Sequence, residues 1–95
     1  MILVIEASPR FDLGQLVATP GVLEILTHHE LLGALLRHSR GDWGDLDAED
    51  QQANEDALKH GSRLLSAYNT ASGTKFWIIT EWDRSVTTVL LPSEY

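Results

Sequence analysis

The sequence predicts an α+β domain in which two or three helices pack on one face of an antiparallel β-meander of three to five strands. Residues 63–91 hold three runs rich in β-branched and aromatic residues, 63–68, 75–81 and 86–91. They are parted by polar clusters containing Asn69, Ser72 and Gly73, then Asp83 and Ser85, the punctuation of consecutive hairpins. Upstream, Leu31, Leu32, Leu35 and Leu36 recur at helical spacing. Asp47 stands where an N-cap belongs, ahead of a segment that Gly61 ends.

Residues 1–7 form an apolar run and read as a short strand within an N-terminal extension, 1–12. The run lacks a basic n-region and is too short for a span, so no membrane is entered. A second strand is expected at 13–18. Thr19 then caps a short helix with Pro20 at its first position and Val22, Leu23, Ile25 and Leu26 as its apolar residues. His28 and His29 break that pattern. A helix resumes over 30–39 and stops at Gly41, with Arg37, His38 and Arg40 in or beside its last turn. A loop around Trp43 leads to a helix over 48–60, with Asp50 in the place usually held by a capping Glu. Its apolar residues are few, Ala53, Ala57 and Leu58, so it belongs on the surface. The chain is therefore one domain, residues 1–95, with a mainly helical half at 13–61 and the meander at 62–95. No repeat or linker divides it.

Pairing the three runs across turns at 69–73 and 82–85 assigns the sheet's two faces by period-two alternation. Leu64, Ser66, Tyr68, Phe76, Ile78, Thr80, Val89 and Leu91 share the core face. The opposite face carries Leu65, Trp77, Ile79, Val86 and Leu90, more apolar than a solvated face should be. Either the N-terminal strand and helices cover it or a second copy does; a homodimer through these five residues is expected.

Composition fits an ordinary globular chain, 43% hydrophobic and 22% charged. With no cysteine, disulfides and thiolate metal sites are excluded, and a cytoplasmic location is expected. The formal net charge is -7. Asp42, Asp45, Asp47, Glu49, Asp50, Glu55 and Asp56 are seven of the fourteen acids, and no Lys or Arg lies between Arg40 and Lys59. Such a patch repels phosphate backbones, which argues against direct nucleic-acid binding, and attracts basic protein surfaces. Its carboxylates can imitate a phosphate array, with Trp43 as the aromatic anchor of the site. The plainer alternatives are a solvated helix face and a tryptophan folded onto the core.

Other constellations are weaker. The series Asp45, Asp47, Glu49 and Asp56 loosely follows a calcium loop but lacks its glycine and its final Glu. Histidines 28, 29, 38 and 60 have no zinc-ligand spacing and read as surface or helix-end residues. No metal or cofactor is expected. The sharpest enzymatic alternative is a metal-independent ribonuclease or toxin using His38, Arg63 and Arg84, for which the net charge is wrong. In the plainer reading Arg63 pairs with Glu81 across strands, and Arg84 serves the second turn.

The segments LGQLVATPGVLEIL, RHSRGDWGDLDAEDQQANEDAL, GSRLLSAY and FWIITEWDRSVTTVLLPSEY resemble a family of small bacterial proteins found on plasmids, prophages and integrative elements. Its members often carry the label plasmid-related protein, or that of a restriction-enzyme subunit. Residues 1–7 depart from that pattern. The resemblance implies an accessory role on mobile DNA and brings no catalytic residues. Together these readings make the chain a binding protein rather than an enzyme, directed at a host or defence protein such as a CRISPR or restriction complex.

Overall fold

Alternation of apolar residues across the last third of the chain builds the sheet. In the computed structural model, which describes residues 9–95, Leu64–Asn69, Lys75–Thr80 and Val86–Leu90 pair antiparallel in sequence order. Leu64 faces Thr80, Ser66 faces Ile78, and Ile78 faces Val89, so the predicted core face is formed as read. The first hairpin loop is shifted by one residue, to 70–74, because Asn69 still pairs with Lys75 and the Thr70 amide donates to the Thr74 carbonyl at 2.9 Å.

A fourth strand, Gln15–Ala18, lies beside the last one and runs parallel to it. The sheet is therefore mixed, not wholly antiparallel. A tight hairpin would force antiparallel pairing, whereas the long connection here leaves direction free. Numbered along the chain the strands are β1 (Gln15–Ala18), β2 (Leu64–Asn69), β3 (Lys75–Thr80) and β4 (Val86–Leu90), in spatial order β1-β4-β3-β2. The expected strand at 1–7 lies outside the described residues.

Three helices fill the connection: α1 (Pro20–Ile25), α2 (His28–Ser39) and α3 (Ala48–His60). His28 and His29 do not interrupt the helical pattern; they form the first turn of α2. The break falls at Leu26 and Thr27, where Thr27 Oγ1 accepts from the Glu30 amide at 3.1 Å and the Glu30 carboxylate accepts from the Thr27 amide at 3.0 Å. That capping box leaves the histidines as ordinary N-terminal helix residues. Thr19 makes no side-chain cap to α1. Glu94, from the 3-10 turn Pro92–Glu94, takes its place by accepting from the Gly21 amide at 3.0 Å and from the Thr19 hydroxyl. These bonds, the Thr19 hydroxyl's first, hold its pKa below the usual carboxylate value.

The main core lies between the sheet and α1 and α2, where Val22, Ala34 and Leu35 meet Tyr68, Phe76, Ile78 and Val89. A second cluster joins Trp43, Ala57 and Leu64. Of the leucine stripe on α2 only Leu35 is fully buried, because the helix turns Ala34, Leu35 and His38 toward the sheet and leaves Leu32 and Leu36 outward.

α3 lies on the surface as predicted, held by Ala57 and Leu58 in the second cluster and by a polar clamp. Asn54 is buried, and its side chain donates to the Leu65 carbonyl at 2.7 Å and accepts from the Leu65 amide at 3.0 Å. Next along the same edge of β2, the Ala67 amide donates to the Trp43 carbonyl and the Asp45 amide to the Ala67 carbonyl. Gly44 sits at that bridge with φ +76°, and a Cβ there would fall 2.0 Å from the Ala67 carbonyl oxygen, so only glycine fits. The outer edge of β2 is thus closed by a side chain and a loop.

Asn54→Ala orphans both Leu65 backbone groups and should cost about 2–3 kcal/mol. Urea unfolding would measure the loss, and faster exchange of the Leu65 amide would place it at this edge.

Candidate functional site

The acidic stretch divides into carboxylates that build the fold and carboxylates that do not. Asp42 accepts from Arg37 at 2.7 and 3.2 Å and from the Gly44 amide at 3.3 Å, and this pairing with Arg37 lowers its pKa. Glu55 takes both ends of the Arg10 guanidinium, at 2.8 and 2.9 Å, and the Trp43 indole N–H at 2.9 Å. Those bonds, the Arg10 pair foremost, hold its carboxyl at about 2. Asp47 caps α3 by accepting from the Asp50 amide at 2.8 Å, while the shorter Asp50 side chain makes no return bond.

The rest point outward. Glu49 and Asp56, seven residues apart on α3, share its solvent side, and both are exposed, as are Asp45, Asp47 and Asp50. Asp45 reaches Lys75 only at 3.6 Å, and among the described residues Glu49, Asp50 and Asp56 have no ion pair. A surface pair of this kind is screened and weak. The ridge thus keeps five carboxylates, Asp45, Asp47, Glu49, Asp50 and Asp56.

Trp43 does not anchor this ridge. It is 4% exposed, stacked on Phe11 at 6.1 Å and edge-on to His38 at 5.7 Å. Its large apolar ring fills the second core, and its N–H finds Glu55. The exposed aromatic near α3 is Trp82, at 66% exposure in the β3–β4 turn. Arg84, at φ +60°, pins that turn to the end of α3 by donating to the carbonyls of Ser62 at 2.6 Å and Ala57 at 3.1 Å. The turn residues of a hairpin seldom show in a hydrophobic pattern, so nothing in that pattern marks Trp82 as a contact residue.

His38 is not a helix-end surface residue. It is fully buried, with Nδ1 against Ser66 Oγ at 2.5 Å and Nε2 against Thr80 Oγ1 at 2.8 Å. Donor counting fixes the tautomer. Thr87 donates to the Leu13 carbonyl, so it accepts from Thr80, which in turn accepts from His38. Nε2 therefore carries the proton, and Nδ1 accepts from Ser66. Burial, helped by the Arg84 charge, depresses the His38 pKa to about 4. The position was legible, since His38 follows Ala34 and Leu35 at i+4 and i+3 on the buried side.

Arg63 lies on the opposite face of the sheet from His38, paired with Glu81 at 3.3 Å as the plainer reading expected, and donates to the Tyr95 hydroxyl at 2.7 Å. Arg84 spends its donors on backbone carbonyls. His38, Arg63 and Arg84 therefore share no common cleft. No group of three or more His, Asp or Glu side chains among the described residues is arranged to hold a metal ion. Among the same residues no helix is long and apolar enough to cross a membrane.

The five residues expected at a dimer face lie under partial cover from the chain's own end. Ile79 and Leu90 are buried, and Leu65, Trp77 and Val86 are half-buried. Tyr95 meets Trp77 edge-on at 5.9 Å and closes part of a hollow of about 210 Å³ over Ile79, Thr88 and Leu90. Among the described residues the cover comes from the C-terminal turn and, over Leu65, from Asp50 and Ala53 of α3; the expected strand at 1–7 lies outside the described residues. No family model, no curated protein and no solved structure matches this chain.

The buried imidazole has a measurable signature. Unfolded, the ring takes a proton near pH 6.5, whereas folded it resists until about 4. Between those values the unfolded chain binds more protons, so stability falls as pH falls. The loss should reach about 3 kcal/mol by pH 4, read by urea unfolding across pH. A His38→Gln variant should flatten that slope between pH 6.5 and 4.

Proposed function

We propose that this protein is a small acidic accessory protein of a mobile genetic element that works by binding the basic surface of a host or defence protein. The observation that carries the reading is the ridge of carboxylates along α3 and its leading loop that the fold leaves outward and, apart from the long Asp45–Lys75 contact, without ion pairs among the described residues. α3 is capped at both ends, by Asp47 and by Gly61 in the left-handed conformation, and clamped by Asn54. A rigid helix holds its charges at fixed spacing, which reduces the ordering cost of binding. Proteins that handle nucleic acid present cations to a regular line of phosphates, and a fixed line of carboxylates offers such a surface the same sign of charge. Trp82, exposed beside the end of α3, supplies the aromatic that a charged rim needs for affinity. The resemblance to plasmid and prophage proteins supports the setting, a mobile element facing a CRISPR or restriction complex in the bacterial cytoplasm.

Affinity capture from bacterial lysate tests it. The unsubstituted chain should retain a basic nucleic-acid-handling protein that high salt releases. Combined Asp45→Asn, Glu49→Gln, Asp50→Asn and Asp56→Asn should cut that capture by about tenfold or more, because it spares the carboxylates that Arg10, Arg37 and the α3 cap require. Trp82→Ala should weaken it independently. Undiminished capture by the neutralised variant would refute the acidic-ridge reading.

A further inference from the structure

The two edges of the sheet are treated in opposite ways. β2 is closed by Asn54 and by the loop through Gly44, as described above. Among the described residues β1 has no such cover. It pairs with β4 through its inner side, where the amides of Gln15 and Thr19 donate to the carbonyls of Ser85 and Val89. By alternation the backbone groups of Leu16 and Ala18 face away from the sheet. An open strand edge is a template for another strand unless charge, proline or a bulge blocks it, and β1 reads Gln-Leu-Val-Ala.

The surface around that edge is apolar. Leu16 is 54% exposed and Leu36 49%, and Leu32 and Val17 stand out beside them. Leu16, Leu31, Leu32 and Leu35 line a hollow of about 200 Å³ between β1 and α2, with no charged residue in its wall. The carboxylate ridge lies at the other end of the sheet, on α3 beside β2 and in the loop before it.

We propose that the β1 edge, with Leu16, Leu32 and Leu36, is the interface for a second copy of this chain. A two-fold axis near Val17 sets β1 antiparallel to its counterpart, so that the outward amides and carbonyls of Leu16 meet those of Ala18 in the second copy, and the reverse. The same axis brings the Leu16 and α2 leucines of the two copies together on the helix side, which buries the apolar surface the single chain leaves in water. Two copies of a strongly acidic chain repel, and this arrangement puts the ridges at opposite ends of a continuous sheet, where screening is greatest. Apolar side chains beside an open edge are what a second copy matches, and the charges nearest them, Asp12 and Arg84 in the wall of a hollow shared with Leu16 and Leu36, are of opposite sign. The dimer does not depend on what the ridge binds.

Sedimentation velocity on the full chain across about a hundredfold range of concentration, with amide exchange of Leu16 and Ala18, tests the proposal. The expected result is a rise from one chain mass to two, with exchange at Leu16 and Ala18 slowing about tenfold in step. Leu16→Lys with Leu36→Lys, or Leu32→Lys alone, should hold the protein at one chain mass with an unchanged circular dichroism spectrum; all three side chains are exposed in the single chain. A single mass throughout would overturn it. So would a dimer that survives these changes but is lost in Trp77→Lys, which would assign the contact to the other sheet face. Protection of Leu16 and Ala18 that ignores concentration would give the edge to another part of the same chain.

Discussion

One neutral imidazole joins most of this fold. From α2, His38 reaches Ser66 on β2 and Thr80 on β3, and Thr80 passes the chain of hydroxyls to Thr87 on β4 and the Leu13 carbonyl just before β1. Each hydroxyl donates once, in one direction, so the run is satisfied only when all its members are in place. In a low-dielectric core an incomplete network is costly, and a complete one specifies a single arrangement. The aromatic shell of Phe11 and Trp43 around the ring keeps water out. Trp43 in turn orders Glu55, and Glu55 orders Arg10. Helix, sheet, loop and the first described residues thus hang on the position of one side chain.

That arrangement explains which acids are available to a partner. The loop of residues 41–46 is held from beneath by Trp43 and from the side by its bridge to Ala67. Asp42 and Glu55 are drawn into that scaffold as counter-charges, and α3 is left standing clear with Glu49 and Asp56 on its outer side. The ridge is what stays outward after Asp42 and Glu55 have been drawn in, with Asp47 serving both as the cap of α3 and as part of the ridge.

Much of this was legible in the sequence. Alternation over β2, β3 and β4 gave the faces correctly because only one phase keeps Ile78, Val89 and Leu64 together, and a turn at 82–85 gave the β3–β4 register; the β2–β3 register differs by two residues, Tyr68 pairing with Phe76 and not with Thr74. The caps of α3 were readable from Asp47 and Gly61. The start of α2 lies before the paired histidines, where Thr27 and Glu30 carry the capping signature; two polar histidines interrupt the apolar pattern there without interrupting the helix. Direction of β1 was beyond any local signal, since it depends on a strand far along the chain. Trp43 reads as a contact residue and His38 as a surface or helix-end one because loop and helix-end positions are usually solvated; the fold uses both as core. Asn54 gave no sign of its role, for a clamp on backbone has no periodicity. The outward acids were found, and what separates them from Asp42 and Glu55 is pairing with arginines distant or offset in sequence.

The pairing of β1 with β4 has a kinetic side. Gln15 and Val86 are partners across 86 − 15 = 71 residues, whereas every other strand pair closes through a short turn. Bringing such distant segments together carries the largest loop-closure entropy in the sheet, so β2, β3 and β4 can assemble as a meander before β1 arrives. A strand that docks late contributes little to the transition state, and weakening it chiefly hastens unfolding. A change in β1 therefore acts more on the lifetime of the folded chain than on the rate at which it forms.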